Sequence, residues 1–353
     1  MTVRVNKPSF NIREKLSELG RKFGLKGSEI AAAETVQDAR NLISAGRRNL
    51  IINGDMRISQ RGTSFTPTIN EYNLDRWMFG GSHPNFTVSQ GTSILPNGRS
   101  VNIFDVVCNA NSIRWIDSYQ GIEDIHIITG QTVTISAWVK TNHPSVNFRQ
   151  YGQTNFGDTF IPDGEWHHYS VTTTLGALTL TKGSNINTAF FGIANSEISD
   201  WTAGQYIQFT HFQLELGKNA TEFEHRSYGE ELALCQRYFY KLDSGRVFTT
   251  ANGTNSAISG VVLPVTMRDT PTPKFFGSNS TSGNIRMFSS GSGSQVNYDT
   301  AANSTATAGI PNGPGNFGFN FASFTPTFPA GYSGWMDLGT GVNNLKIEFD
   351  AEL

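Results

Sequence analysis

The sequence predicts a mainly β protein with two β-sandwich modules, a short α-helical N-terminal segment and one connector helix. Three observations predict it. Strict apolar–polar alternation recurs in short runs from Arg48 to the end, the period of a half-buried strand. Charged residues make up 16% of the chain, below the usual quarter, while Gly numbers 36 and Phe 25, a balance suited to short strands and tight turns. Helical spacing is confined to a few brief stretches. A length of 353 residues fits two domains and an appendage.

Residues 1–48 form the appendage. Asn11 can cap a helix whose stripe is Ile12, Leu16 and Leu19, stopped by Gly20. Thr35 and Asp38 imitate a capping box ahead of Val36, Ala39, Leu42 and Ile43, with Gly46 as the stop. Such short helices are marginal alone and need a surface to pack on. The segment holds ten Lys and Arg against five Asp and Glu, whereas residues 49–242 hold twelve against seventeen. A basic head on an acidic body suits a docking partner of its own, and equally suits an ordinary solvated face.

Residues 49–226 read as the first β module. In Thr132–Lys140, Val133, Ile135, Ala137 and Val139 point one way, and Thr134, Ser136, Trp138 and Lys140 the other. After the Asp163-Gly164 turn, His167, Tyr169, Val171 and Thr173 alternate with Trp166, His168 and Ser170. Ile207 and Phe209 share one parity while Phe212, Leu214 and Leu216 share the other, so a bulge is expected near Thr210-His211. Many short strands at this spacing argue for two packed sheets.

Residues 227–242 predict the connector helix, opened by Ser227 with Glu230 and striped by Leu232, Cys235, Phe239 and Leu242. Residues 243–353 form the second β module. Phe317, Phe319 and Phe321 alternate with small residues, and Leu345–Leu353 alternates throughout, so its strand is expected to be tied into a sheet. Gly277–Thr307, rich in Ser, Gly, Asn and Thr, reads either as a long loop or as strands with small side chains.

Two stretches bracket the first module, as a first and last strand would. One is Asn49-Leu50-Ile51-Ile52-Asn53-Gly54-Asp55-Met56, followed by Arg61-Gly62 and Leu74-Asp75-Arg76-Trp77. The other is Phe212-Gln213-Leu214-Glu215-Leu216-Gly217, running through Ala220-Thr221-Glu222-Phe223-Glu224 to Leu232-Ala233-Leu234-Cys235-Gln236-Arg237-Tyr238. Together they resemble the carbohydrate-binding-type jelly-roll module of bacteriophage tail-fibre and virion proteins, especially those of marine podoviruses. The resemblance covers residues 1–245 best. It implies a jelly-roll β-sandwich for residues 49–226, a virion-anchoring role for residues 1–48 against a phage tail or capsid protein, and a homotrimer. It also implies host attachment: non-catalytic receptor binding to a cell-surface glycan by a tail fibre. A capsid-decorating head fibre of the same architecture, or a glycan-degrading tailspike, are the alternatives.

Chemistry is sparse. The start, Met-Thr-Val-Arg-Val-Asn-Lys-Pro, lacks the apolar core of a signal peptide, and no apolar run approaches a membrane span. The expectation is synthesis in a host cytoplasm and assembly onto a virion, with no membrane insertion. A net charge of −2 gives no electrostatic case for nucleic acid. Cys108 and Cys235 lack metal spacing, and no zinc site or disulfide framework is expected. Gly313-Pro314-Gly315-Asn316-Phe317-Gly318 matches a dinucleotide fingerprint, but its flanks are loop and alternating strand, so it reads as a turn. His167 and His168 face opposite sides of a strand and cannot chelate together. No Walker loop, nucleophile elbow or zincin motif occurs, so no catalytic residues and no cofactor are expected. Related jelly rolls often hold Ca²⁺, and Asn53, Asp55 and Glu215 flank the bracketing stretches, but the sequence does not require one. For ligand contact, Trp138, Trp166 and His168 lie opposite the apolar rows, with Tyr119 and Trp201 in loop-like surroundings. An indole on an outward strand face is costly unless covered, whether by glycan, subunit or loop.

Overall fold

A computed structural model describes residues 48–67, 71–80, 84–123, 128–150, 155–176, 189–195, 199–251, 256–276, 285–288, 295–298, 306–311, 316–322, 333–338 and 346–352. The expected N-terminal helices and anchor lie outside the described residues.

The first module holds strands β1 (Ser64–Phe65), β2 (Glu71–Tyr72), β3 (Met78–Phe79), β4 (Phe86–Ile94), β5 (Ser100–Cys108), β6 (Ser112–Arg114), β7 (Asp117–Ile122), β8 (Thr132–Thr141), β9 (Val146–Gln150), β10 (Asn155–Phe156), β11 (His167–Thr174), β12 (Ala189–Asn195), β13 (Ser199–Trp201) and β14 (Tyr206–Leu216). Two antiparallel six-stranded sheets face each other, in orders β1-β4-β5-β14-β8-β11 and β10-β9-β12-β7-β3-β2. Alternation explains the layering. Val133, Ile135, Ala137 and Val139 of β8 are at most 1% exposed, and meet Phe148, Phe191 and Ile193 of the facing sheet in one core. Trp77 anchors that core, its ring 5.1 Å from Phe209 and 5.3 Å from Phe212, both edge-on. The β-sandwich fold thus follows the sequence pattern closely.

The stretch Asn49–Met56 departs from expectation: it is not a strand. Asn53 and Met56 adopt left-handed backbone conformations, at φ 56 and 58, which no ladder accommodates. The stretch is instead pinned to β14 by scattered bonds. Leu50 N–H donates to Leu214 O (3.0 Å) and Phe212 N–H to Gly54 O (2.8 Å). The Asn49 amide bridges both sides, donating to Phe212 O and accepting from Leu214 N–H. A Cβ at Gly54 would collide with Phe212 O, so only glycine permits this approach.

The bulge falls where parity placed it. Register between β14 and β8 slips between Thr210 and Gln213, with His211 at φ 51.

Helix α1 (Tyr228–Gln236) is capped by Ser227, whose hydroxyl accepts from Glu230 N–H. It is shorter than the stripe predicted. Phe239–Leu242 form strand β15 instead, because the last strand offers an open ladder that these bulky residues suit better than a helix turn. Beyond lie β16 (Gly245–Ala251), β17 (Ser256–Val262), β18 (Thr272–Phe276), β19 (Ile285–Phe288), β20 (Gln295–Tyr298), β21 (Ala306–Pro311), β22 (Asn316–Ala322), β23 (Ser333–Leu338) and β24 (Lys346–Asp350). They pair as β15-β24-β18, β21-β22-β17-β16-β23 and β19-β20. Gly277–Thr307 therefore contains a strand pair. The described end of the glycine-rich motif, Asn316, Phe317 and Gly318, opens strand β22 and not a helix.

The β15-β24-β18 sheet is joined to the sandwich by two arginines. Arg76, 1% exposed, pairs with Glu352, donates to Gly121 O (2.7 Å) and lies 3.4 Å from the centre of the Tyr238 ring. Arg61 lies 3.6 Å from the Phe239 ring centre and pairs with Asp350 and Glu352. Cys108 and Cys235 are free and buried. Burial pushes both thiols up, Cys235 well above its ordinary value, which suits packing.

Candidate functional site

The outer face of the β5-β14-β8-β11 side carries a groove of about 480 Å³. Its floor follows from alternation. Ser136 and Trp138 are the outward residues of β8, and His168 is the register partner of Trp138 on β11. Their rings lie 5.4 Å apart. On the other side of β8, the β14 bulge places His211 in the groove rather than in the core.

Two walls rise from this floor. Asn97 and Arg99 come from the turn joining β4 and β5. Ala220, Thr221, Glu222, Phe223 and His225 come from the chain that leaves β14. That second wall is firmly held. Glu215, buried on β14, accepts from Thr221 N–H (3.1 Å) and Thr221 Oγ1 (2.5 Å). Glu224 N–H donates to Gln213 Oε1 (2.9 Å), while Glu224 Oε2 accepts from Arg48 and Asn49 N–H. His211 stacks on Phe223 at 4.5 Å and 11°, and His225 meets both rings edge-on. The groove thus holds two aromatic groups, Trp138 with His168 and His211 with Phe223 and His225, among amide, hydroxyl, guanidinium and carboxylate groups.

Its electrostatics follow from crowding. Burial lowers the His168 imidazole from its ordinary value. His211 is lowered to about 4, by burial first and then by His225, with Asp55 opposing. Near neutrality both rings therefore stand uncharged, able to stack or to hydrogen-bond.

The expected ligand residues divide. Trp138 and His168 line the groove. Trp166 lies on the same outward face but is only 8% exposed, packed on Leu95 and Ile103 with Nε1–H donating to Ser93 Oγ (3.0 Å). The covering agent for that indole is the β4–β5 hairpin. Tyr119 and Trp201 are corrected more sharply: each is 1% exposed. Tyr119 sits with Met78 and Phe190, and Trp201 stacks on His143 at 3.8 Å within the main core. Both fall on short strands, not loops, so their rings are packing. His167 faces away from His168 and meets Asp163 Oδ2 at 2.9 Å. Of the groups considered for Ca²⁺, Glu215 accepts from Thr221, Asp55 pairs with Arg57 through Oδ2, and the Asn53 side chain accepts from Ile58 N–H. Among the described residues no cluster of three or more His, Cys, Asp or Glu suits a metal.

Sequence reasoning missed Asn97, Arg99, His211, Phe223 and His225. A signal existed for one of them. The parity switch implied that a side chain at Thr210-His211 would be re-aimed outward.

No family model matches the sequence. No curated protein matches it. Among solved structures, an exo-β-agarase is similar at 11% identity and TM-score 0.29, over 46% of this chain and 26% of the agarase. The enzymatically active domain of bacteriophage CBA120 tailspike protein 4 is similar at 13% identity and TM-score 0.28, over 48% of this chain and 21% of that one. The chain thus spans about a quarter or less of the length of these two proteins. The N-terminal CBM22-1–CBM22-2 tandem of Paenibacillus barcinonensis Xyn10C is similar at 12% identity and TM-score 0.30, over 87% of this chain and 98% of that one. At scores this low none of the three carries the interpretation of the groove, which stands on its own side chains.

Proposed function

We propose that this chain is a subunit of a phage virion fibre, and that its sandwich module holds a host-surface glycan without cleaving it. The groove is the observation that carries the binding part. Sugars present apolar C–H faces that stack on rings and hydroxyls that need polar partners. Trp138, His168, Phe223 and the neighbouring imidazoles offer the first; Asn97, Arg99, Ser136 and Glu222 offer the second. Its volume falls within the range of small-ligand sites. One carboxylate, that of Glu222, lines it, whereas glycosidic hydrolysis usually runs on a pair.

The virion placement is supported by the resemblance of the Asn49–Met56 and Phe212–Gly217 stretches. A head-decorating fibre would share them, and an N-terminal label located on intact particles separates head from tail. Trimeric display would multiply a weak contact through avidity. The direct test incubates the protein with host surface polysaccharide and sizes the product. Retention of full-length polymer is the expected outcome. Release of shortened fragments would refute the non-catalytic reading in favour of a glycan-degrading tailspike.

A further inference from the structure

We propose that the saccharide in this groove is acidic, a carboxylate-bearing glycan of the uronate type, and that Arg99 receives its carboxylate. The inference rests on the glycan-binding reading above and names the ligand class.

The arginines of this module are mostly committed. Arg57 pairs with Asp55, Arg61 with Asp350 and Glu352, Arg76 with Glu352, Arg226 with Glu231, and Arg237 with Glu123. Arg149 covers the Trp115 ring. The Arg99 guanidinium, by contrast, has no ion pair or hydrogen bond among the described residues, and it stands on the groove rim. Its field reaches His211 on the floor, which it disfavours charging. Planar guanidinium matches a carboxylate in a two-pronged geometry, so a free one on a binding rim selects for that group.

The rest of the lining agrees. Three imidazoles, those of His168, His211 and His225, are available as N–H donors, against the single carboxylate of Glu222. This occurs in a segment, residues 49–242, that holds seventeen Asp and Glu against twelve Lys and Arg. Three of the chain's seven histidines gather in this one groove, so an acidic glycan meets more N–H donors there than carboxylates.

The test uses the full-length protein and a panel of polygalacturonate, alginate and hyaluronan, each beside its carboxyl-reduced neutral counterpart, in affinity electrophoresis. At least one acidic polymer should bind roughly tenfold more tightly than its reduced form, the size of one charge-assisted pair. Arg99→Gln should erase that preference, while Trp138→Ala should weaken acidic and neutral forms alike. Equal binding of acidic and reduced polymers overturns the acidic assignment and leaves glycan binding standing. A preference that survives Arg99→Gln also overturns it, placing the attraction on the basic residues 1–48. Failure to bind any member of the panel overturns both.

Discussion

At the residue scale, the outer face of one sheet carries two indoles with different duties, Trp138 on β8 and Trp166 just before β11. Trp138 is half-buried and lines the groove, whereas Trp166 is 8% exposed beneath the hairpin. Trp138→Ala should leave the fold intact and weaken glycan binding by about 1 kcal/mol, roughly fivefold per site. Trp166→Ala should cost about 3 kcal/mol of stability through lost packing. Melting temperature and binding measured on the same two variants check both statements. His211 gives a pH prediction. Its folded pKa, about 4, lies below its ordinary 6.5, so the folded state binds fewer protons across that window. Stability is complete above pH 6.5 and falls as pH drops towards 4, by about 1–2 kcal/mol after allowance for solvent screening. Asn tolerates the left-handed conformation at this position. His211→Asn should therefore flatten the pH dependence of melting between 7 and 4.5, whatever its effect on the absolute value.

At the element scale, what was legible in the sequence was whatever alternation controls. The faces of β8 and β11, the bulge in β14 and the last strand all followed from period two, because one buried face fixes register. The helix start was legible because Ser227 and Glu230 are local chemistry. Its end was not. Leu232, Cys235, Phe239 and Leu242 fit a helical stripe, but β24 supplies a ladder for Phe239–Leu242 that only the folded chain brings near. The groove was half legible for the same reason. Trp138 and His168 sit on strands of known parity, while Phe223 and His225 come from a connection held by Glu215, Gln213 and Thr221, and Arg99 from the turn between β4 and β5. The pairing of the last strand is itself testable. Glu352 is 4% exposed at its side chain against the buried Arg76. Glu352→Ala should cost about 3–5 kcal/mol, since it strands a buried charge, and chemical denaturation would show it.

At the scale of the whole molecule, the proposal is a repeated weak binder: a basic head for docking and a body that presents the groove. Sedimentation of the full-length chain at micromolar concentration should give a trimer, and a clean monomer would refute that state. The bridge from Arg76 to Glu352 also has a consequence in time. It joins residues separated by 276 positions. So long a loop closes late, after each sheet has assembled from nearer contacts. An interaction made after the rate-limiting step governs how fast the native state opens, with little effect on how fast it forms. Loss of Glu352 should therefore appear in the unfolding limb of a chevron plot and leave refolding almost unchanged. The clasp between the two modules thus acts as a brake on opening.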